Sequence, residues 1–480
     1  MADASSGTPN WFPPLLPERV PVKIPRFLPI LAAALAVTLA GCATVPTTTE
    51  QESAAPTAII PELAPDQQVS LRWESYNLAS AGVFGETTRH LVAEFERQHP
   101  NIDVDAVPPQ GSANEIAQSV QRQVVAGDPP DLAQLTFADL RYTASDLGAK
   151  PLDKLVGRDE VNKLLTDGPH PYAPRAAALG DLDGTTYGIP YVFSTPMLFI
   201  NADLFRQAGL DPSRPPKNWE EVAAAAAAIA TVPGASGGAY LSCLDPVMGG
   251  DWCLTGVVRS AGGRLLSEDG KSLGWTDPAT VDAFRGIQKI AQAGANALPD
   301  LSGADAQDAF MRGNLGMLLS SAALQNAILT ASEGKWQATA APMPGFGTTP
   351  AVPTNSGSAL FILTDDPAKQ RAAWELIKFL TSAEIQTTIT SGIGYVPLRA
   401  SLIDDPAYLK PFADAHPDFV RPNVAQLDRL EPWVSYPGPN YQQIRTLLSK
   451  ATEDIVFRGA DPETTLSAAQ DSAQALMPDE

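Results

Sequence analysis

Tyr187-Gly188-Ile189-Pro190-Tyr191-Val192-Phe193-Ser194-Thr195-Pro196-Met197-Leu198-Phe199-Ile200-Asn201 is an extended segment rich in β-branched and aromatic residues. It is too apolar to run over a surface as a loop. Such a stretch reads as a crossover that leaves one sheet and enters another, so it predicts two lobes. A chain of 480 residues has the length for that, since domains usually run about 100 to 200 residues.

Outward from the crossover, both flanks read as α/β. On the N-terminal side, Val69-Ser70-Leu71-Arg72-Trp73 alternates as a strand, a Gly-containing loop follows, and a helix through Leu91, Val92 and Phe95 is closed by Pro100. Ile102, Val104 and Ala106 mark a second strand. A helix over Asn114 to Ala126 carries Ile116, Val120 and Val124 on one face, and Gly127-Asp128-Pro129-Pro130 breaks it before a strand at Leu132 to Leu135. This βαβαβ alternation predicts a mostly parallel sheet flanked by helices, with ligands beyond the carboxyl ends of its strands. On the C-terminal side, Asp203 to Ala208, a helix at Trp219 to Ala230 and a strand at Gly316 to Ser320 suggest a second unit of the same kind. Ala368 to Ser382 and Tyr441 to Phe457 read as amphipathic helices. The expected division is 69–190 with 322–380 for lobe I, and 191–321 with 381–476 for lobe II, joined by hinge crossovers.

The amino-terminal segment carries an address. Arg19, Lys23 and Arg26 precede the apolar run Phe27 to Ala40, which ends in Leu39-Ala40-Gly41-Cys42. Residues 1–41 therefore read as a signal peptide with a lipobox, and Cys42 as the lipidated N-terminus of the mature chain. A true transmembrane helix is disfavoured, because the run is shorter than the roughly 20 residues a bilayer needs and Pro29 interrupts it. Ala43 to Gln68, full of Thr, Pro, Ala and Glu, gives 42–68 the character of a flexible, lipidated tether. The expected location is extracytoplasmic, anchored to the cell membrane. Cys243 and Cys253 then remain as an even pair in a protein bound for an oxidising compartment, so a disulfide is expected. The formal net charge of −21 disfavours nucleic acid and anionic lipid as partners, since both repel an acidic surface.

Four segments together carry a family resemblance: Phe95-Glu96-Arg97-Gln98-His99-Pro100-Asn101-Ile102; Gly127 to Leu132; Tyr187 to Pro196; and Asn201-Ala202-Asp203-Leu204-Phe205 through Ala208-Gly209-Leu210-Asp211-Pro212. With them the chain from about Val69 onward resembles the sugar-type extracellular solute-binding proteins of ABC importers, family 1. Ser194-Thr195-Pro196, Ser320-Ser321 followed by Leu324, Gly394-Tyr395-Val396-Pro397 and Gln443-Ile444-Arg445 are most similar to its glycerol-3-phosphate-binding branch. The resemblance implies a two-lobed, periplasmic-binding-protein-like α/β fold that closes on a small polar solute and presents it to ABC permease subunits. It also implies that Ser194, Trp252, Ser320 or Ser321, Gly357, Tyr395 and Arg445 face the ligand. Two positions depart from the branch: Ala113 stands where it has a ligand-contacting tyrosine, and Phe137 near where it has a glutamate. Those departures argue against glycerol phosphate itself.

The residues support a polyol site independently. Hydroxyl-rich ligands need aromatic platforms beside hydrogen-bonding side chains. Trp252, Tyr191, Tyr395 and Trp73 lie in segments expected to line the cleft, and Glu74 and Tyr76 follow the first strand at its carboxyl end. Each aromatic has a plainer reading as core, and Arg445 as a surface cation or a helix salt bridge. If Arg445 faces the cleft, its planar fork suits a phosphate or a pair of vicinal hydroxyls. Trp252 beside Cys253 suggests that the disulfide keeps the indole poised over the ligand, lowering the ordering cost of binding.

Catalysis and cofactors find little support. Gly234-Ala235-Ser236-Gly237-Gly238 fits the nucleophile-elbow pattern, but it follows Pro233 among small residues rather than joining a strand to a helix. The four histidines, His90, His99, His170 and His416, have no metal-ligand spacing. Asp181 and Asp183 hint at calcium, yet Tyr187-Gly188-Ile189-Pro190 favours a hairpin turn. No phosphate-cradling Gly-rich motif sits between a strand and a helix, so no cofactor, metal or catalytic residue is expected. Two other readings stay open: a secreted glycosidase using paired carboxylates, and a solute sensor that docks on a receptor.

The Pro-rich leader before Arg19 carries its own expectation, that translation begins near Val20. Peptide mapping of the unprocessed precursor checks it, and recovery of residues 2 to 18 would rule it out.

Overall fold

The computed structural model describes residues 59–80, 82–245, 251–292 and 302–478. The expected signal peptide, Cys42 and most of the expected tether lie outside them. Alternation works as the sequence suggests at Val69–Ser75 (β1), where Val69, Leu71 and Trp73 share a buried face. Eight further strands follow: β2 Ile102–Val107, β3 Leu132–Thr136, β4 Gly188–Ser194, β5 Pro196–Asn201, β6 Gly237–Tyr240, β7 Leu315–Ser321, β8 Ala338–Pro342 and β9 Ser356–Ile362. They form two sheets, in the orders β2-β1-β3-β9-β4 and β8-β5-β7-β6.

In each sheet all strands but one run the same way. The reversed strands are β9 in the first sheet and β5 in the second. Both are strands by which the chain enters a sheet from the other lobe. The crossover itself is a single residue: β4 ends at Ser194, Thr195 intervenes, and β5 begins at Pro196. All residues of both strands are buried, which is why the segment needs an apolar sequence on both faces.

Helices cover the sheets with the faces their periodicity sets. Val83–Gln98 buries Leu91, Val92 and Phe95. Ile116–Ala126 buries Ile116 and Val120 and ends on Gly127, whose φ of 77° supplies the left-handed residue that a helix C-terminus takes up. Pro367–Leu380 lies over β1 with Trp374 fully buried, and Asp366 caps it by accepting from the Ala368 and Lys369 amides. The expected helix at Tyr441 to Phe457 is α-helical over Tyr441–Thr452, then widens into a π turn over Glu453–Phe457.

The expected boundaries need correction in three places. β4 belongs wholly to the first sheet, so the lobes part at Thr195 rather than between residues 190 and 191. β8 pairs with β5 in the second sheet, so the chain re-enters the first sheet only at Ser356. The helix Ala383–Gly392 packs against Val83–Gln98 and Pro367–Leu380 in the first lobe, not the second. Sheet membership is decided by long-range hydrogen bonds, which local periodicity does not encode. Order also starts earlier than Val69: Ile60 is buried, its N–H donates to the Leu155 carbonyl at 2.9 Å, and Arg371 donates to the carbonyls of Ile60 and Pro61.

Two motifs resolve in favour of their plainer reading. Asp181–Leu182 pairs with Thr185–Thr186 in a small hairpin whose turn holds Asp183 at a φ of 51°. Ser236 precedes β6 and donates its N–H to the Asn314 carbonyl, a loop-to-strand junction rather than a strand-to-helix elbow. Among the described residues no helix is long and apolar enough to cross a membrane.

Gly357, at the start of β9, has a φ of 113°, and a Cβ built there would stand 2.1 Å from the Val192 carbonyl oxygen. Gly357→Ala is expected to lose about 2–4 kcal/mol of stability through backbone strain and loss of β4–β9 register. A urea titration with an unchanged midpoint would contradict this.

Candidate functional site

The carboxyl ends of β1 and β3 face those of β6 and β7 across a cavity of about 660 Å³. In the first lobe its wall is built by short turns that leave the sheet. Tyr76 and Asn77 lie in the 3-10 turn Tyr76–Ala79 that follows β1, and Thr136 and Asp139 lie at the turn that follows β3. Gly357 contributes backbone at the mouth of β9. In the second lobe, Ser320 and Ser321 end β7, Ser242 and Cys243 follow β6, and Asp251 and Trp252 open the helix Asp251–Ser260. Arg445 and Gln442 reach in from Tyr441–Thr452.

Arg445 is held as half of a buried ion pair. Its Nε and Nη2 donate to the two carboxylate oxygens of Asp251 at 2.7 and 2.8 Å, a bidentate arrangement. Its guanidinium carbon sits 4.7 Å from the centre of the Trp433 ring, and the Trp433 indole N–H donates to the same carboxylate at 3.1 Å. Burial opposes the Arg445 charge, but the Asp251 carboxylate outweighs it and holds the guanidinium above its usual pKa. The cation is therefore compensated by the protein itself.

Asp139 is equally committed. It accepts from the Thr136 N–H and hydroxyl, and from the Tyr441 hydroxyl at 2.7 Å. That last bond ties a first-lobe turn to a second-lobe helix. Burial, and then the nearby Asp139 charge, push the Tyr441 phenol well above its ordinary value, so it stays a donor. Ser435 adds a second tie by donating to the Ala138 carbonyl at 2.8 Å, and Gln118 pairs with Gln442 at the cavity edge.

Behind Tyr76 runs a hydrogen-bonded set of buried polar side chains. Tyr76 donates to Ser358 at 3.1 Å, Gln134 donates to the same oxygen at 2.9 Å, and Ser75 bonds the Gln134 carboxamide. Tyr395 packs edge-on against Phe84 with ring centres 5.8 Å apart. Burial raises the phenol pKa of both Tyr76 and Tyr395, so each remains a neutral donor. Where the lobes meet, Ser321 donates to Ser194 at 2.8 Å. A Cys243–Cys253 disulfide, with Cα atoms 5.6 Å apart, joins the turn after β6 to the helix that carries Trp252.

Of the residues expected at a ligand, Tyr76, Ser194, Trp252, Ser320, Ser321, Gly357, Tyr395 and Arg445 all line this one cavity. Glu74 and Tyr191 do not, and both expectations are corrected. Glu74 is buried beneath Ile116–Ala126, where Gln123 donates to it; burial raises its carboxyl pKa, opposed by hydrogen bonds from Ser119 and Gln123. Tyr191 lies inside β4, its ring edge-on to Trp73 at 6.2 Å, so Trp73 and Tyr191 are both core. Sequence reasoning missed Asn77, Asp139, Asp251 and Trp433. Trp433 had a usable signal as an aromatic in the Pro-rich stretch Pro432 to Pro439; the polar three had none. No cluster of potential metal ligands occurs among the described residues.

Residues 90–415 match the family model described as bacterial extracellular solute-binding protein. The chain is 26% identical over 413 residues to the sn-glycerol-3-phosphate-binding periplasmic protein UgpB of Agrobacterium fabrum, spanning 83% of this chain and 88% of that one. Its fold is similar to that of UgpB from Mycobacterium tuberculosis, solved in complex with glycerophosphocholine, with a TM-score of 0.70, 21% identity, and coverage of 85% and 98%. It is similar also to the cyclic alpha-maltosyl-1,6-maltose binding protein from Arthrobacter globiformis, with a TM-score of 0.68, 19% identity, and coverage of 85% and 99%. These likenesses establish the two-lobed periplasmic-binding-protein architecture.

Replacing Cys243 and Cys253 together by Ser is expected to cost about 3 kcal/mol, the chain-entropy value for so short a loop. It is also expected to weaken, several-fold, the affinity of any compound that stabilises the parent, because Trp252 loses its fixed position. Calorimetric titration reads this directly; unchanged affinity would show that the bridge does not preorganise the indole.

Proposed function

The chain belongs to the bacterial extracellular solute-binding protein family, and from that membership we propose that it captures a sugar, polyol or glycerophosphodiester between its lobes and presents it to the permease subunits of an ABC importer. The observation that carries this reading is the composition of the cavity. Trp252, Tyr76, Tyr395 and Trp433 supply faces for the C–H surfaces of a polyol, and the hydroxyls of Ser194, Ser320 and Ser321 sit beside them. Both lobes contribute, so a solute held there favours the closed arrangement that a permease can recognise.

The reading extends to location and chemistry. Cys42 is the site of lipid attachment, and the tether after it holds the folded body at the outer face of the cell membrane. The chain acts by binding rather than by catalysis: the three carboxylates of the cavity are each engaged by donors, Asp139 by Thr136 and Tyr441, Asp251 by Arg445 and Glu453 by Arg458. The similar proteins named above support the solute class, since they bind sn-glycerol-3-phosphate, glycerophosphocholine or cyclic alpha-maltosyl-1,6-maltose.

A thermal-shift screen against sugars, polyols and glycerophosphodiesters tests this, because a compound that binds only the native state raises the melting temperature by mass action. One chemical class is expected to raise it, and Trp252→Ala or Tyr395→Ala to abolish the shift. Silence across the panel together with hydrolysis of a glycoside would replace this reading with an enzymatic one.

A further inference from the structure

Asn77 has a property that no other role in the fold accounts for. It lines the cavity at the carboxyl end of β1, is 1% exposed, and neither its Oδ1 nor its Nδ2 has a hydrogen-bond partner among the described residues. A buried carboxamide left unpaired carries the full desolvation penalty of its dipole, and native structures rarely leave one without a reason. Its amide presents an acceptor and a donor side by side, the pattern that two neighbouring hydroxyls complement.

The charges around it point the same way. Three carboxylates line the cavity, Asp139, Asp251 and Glu453, against two cations, Arg445 and Lys450. Arg445 is clasped bidentately by Asp251, and Lys450 pairs with Asp454 at 3.1 Å while remaining largely exposed. A phosphate entering this lining would meet net negative charge and no uncompensated guanidinium, although anion recognition draws its strength from such a group. A neutral polyol meets no such opposition.

Resting on the solute-capture reading, we propose that the cavity selects an uncharged, hydroxyl-rich ligand over a phosphate-bearing one, with Asn77 as the residue that reads its hydroxyls. Asn77 accepts from one ligand hydroxyl through Oδ1 and donates to another through Nδ2. Arg445 acts as a neutralised platform alongside rather than as a phosphate clamp. Specificity then comes from a polar group that is satisfied only in the complex, an arrangement that rejects ligands lacking the matching hydroxyls.

The test is isothermal titration of the full chain with neutral mono- and disaccharides and polyols, maltose among them, against glycerophosphocholine and glycerol 3-phosphate. At least one neutral compound is expected to bind tenfold or more tightly than either phosphate compound. Asn77→Ala is expected to weaken that compound at least tenfold while leaving the ligand-free melting temperature unchanged or higher, since it removes an unsatisfied group; a merely structural asparagine would lower it. Asp251→Asn, which keeps its shape but releases the Arg445 charge, is expected to gain at least tenfold for glycerophosphocholine. Tighter binding of the phosphate compounds by the parent overturns the proposal. So does an Asn77→Ala variant of parental affinity, which would mean that an ordered water satisfies the amide, or an Asp251→Asn variant with no gain for phosphate. Binding of no compound in the panel would instead remove the solute-capture reading itself.

Discussion

The first passage between the two sheets is a joint one residue long, and it sets where their edges meet. β4 finishes the first sheet at Ser194 and β5 starts the second at Pro196, so Thr195 alone separates two hydrogen-bonded ladders. Its neighbourhood is pinned on several sides: the Thr195 carbonyl accepts from Ala322 at 3.0 Å, its hydroxyl bonds Asn423, and Ser321 donates to Ser194. A connection that short cannot let the sheets slide past one another. It fixes the carboxyl ends of both sheets at the same gap. The cavity is the geometric remainder of that constraint.

The walls of the gap show how polar groups can line a buried surface at little cost to stability. Most are satisfied in closed sets: Asp251 with Arg445 and Trp433, Asp139 with Thr136 and Tyr441, Tyr76 with Ser358 and Gln134. Such sets hold side chains in one rotamer and so preorganise the surface. Breaking one member would leave another buried and unpaired, which costs more than the bond itself was worth.

Much of this was legible in the sequence wherever a local rule applies. Alternation located β1 and β2, the 3.6-residue period located Ile116–Ala126, and unbroken apolarity located the crossover. The family resemblance supplied Ser194, Trp252, Tyr395 and Arg445, all of which line the cavity. Position misled for Glu74, because being near a strand's carboxyl end does not say which face a side chain takes, and for Tyr191, because a segment that borders the cleft still turns some of its side chains into the core. Lobe boundaries were misjudged for the same kind of reason, since β8 joins its sheet through partners more than a hundred residues away in sequence. Asp139, Asp251 and Asn77 stayed invisible, for polar residues in loops acquire their meaning only from what the fold sets opposite them.

The Cys243–Cys253 bridge has a consequence for the life history of the chain. A cystine forms only where the thiol pool is oxidising, and it stiffens the one wall of the cavity that presents Trp252. The turn after β6 and the helix that opens at Asp251 are thereby joined covalently as well as through the chain between them, so this wall of the cavity keeps its shape best in the kind of surroundings that an extracytoplasmic protein meets.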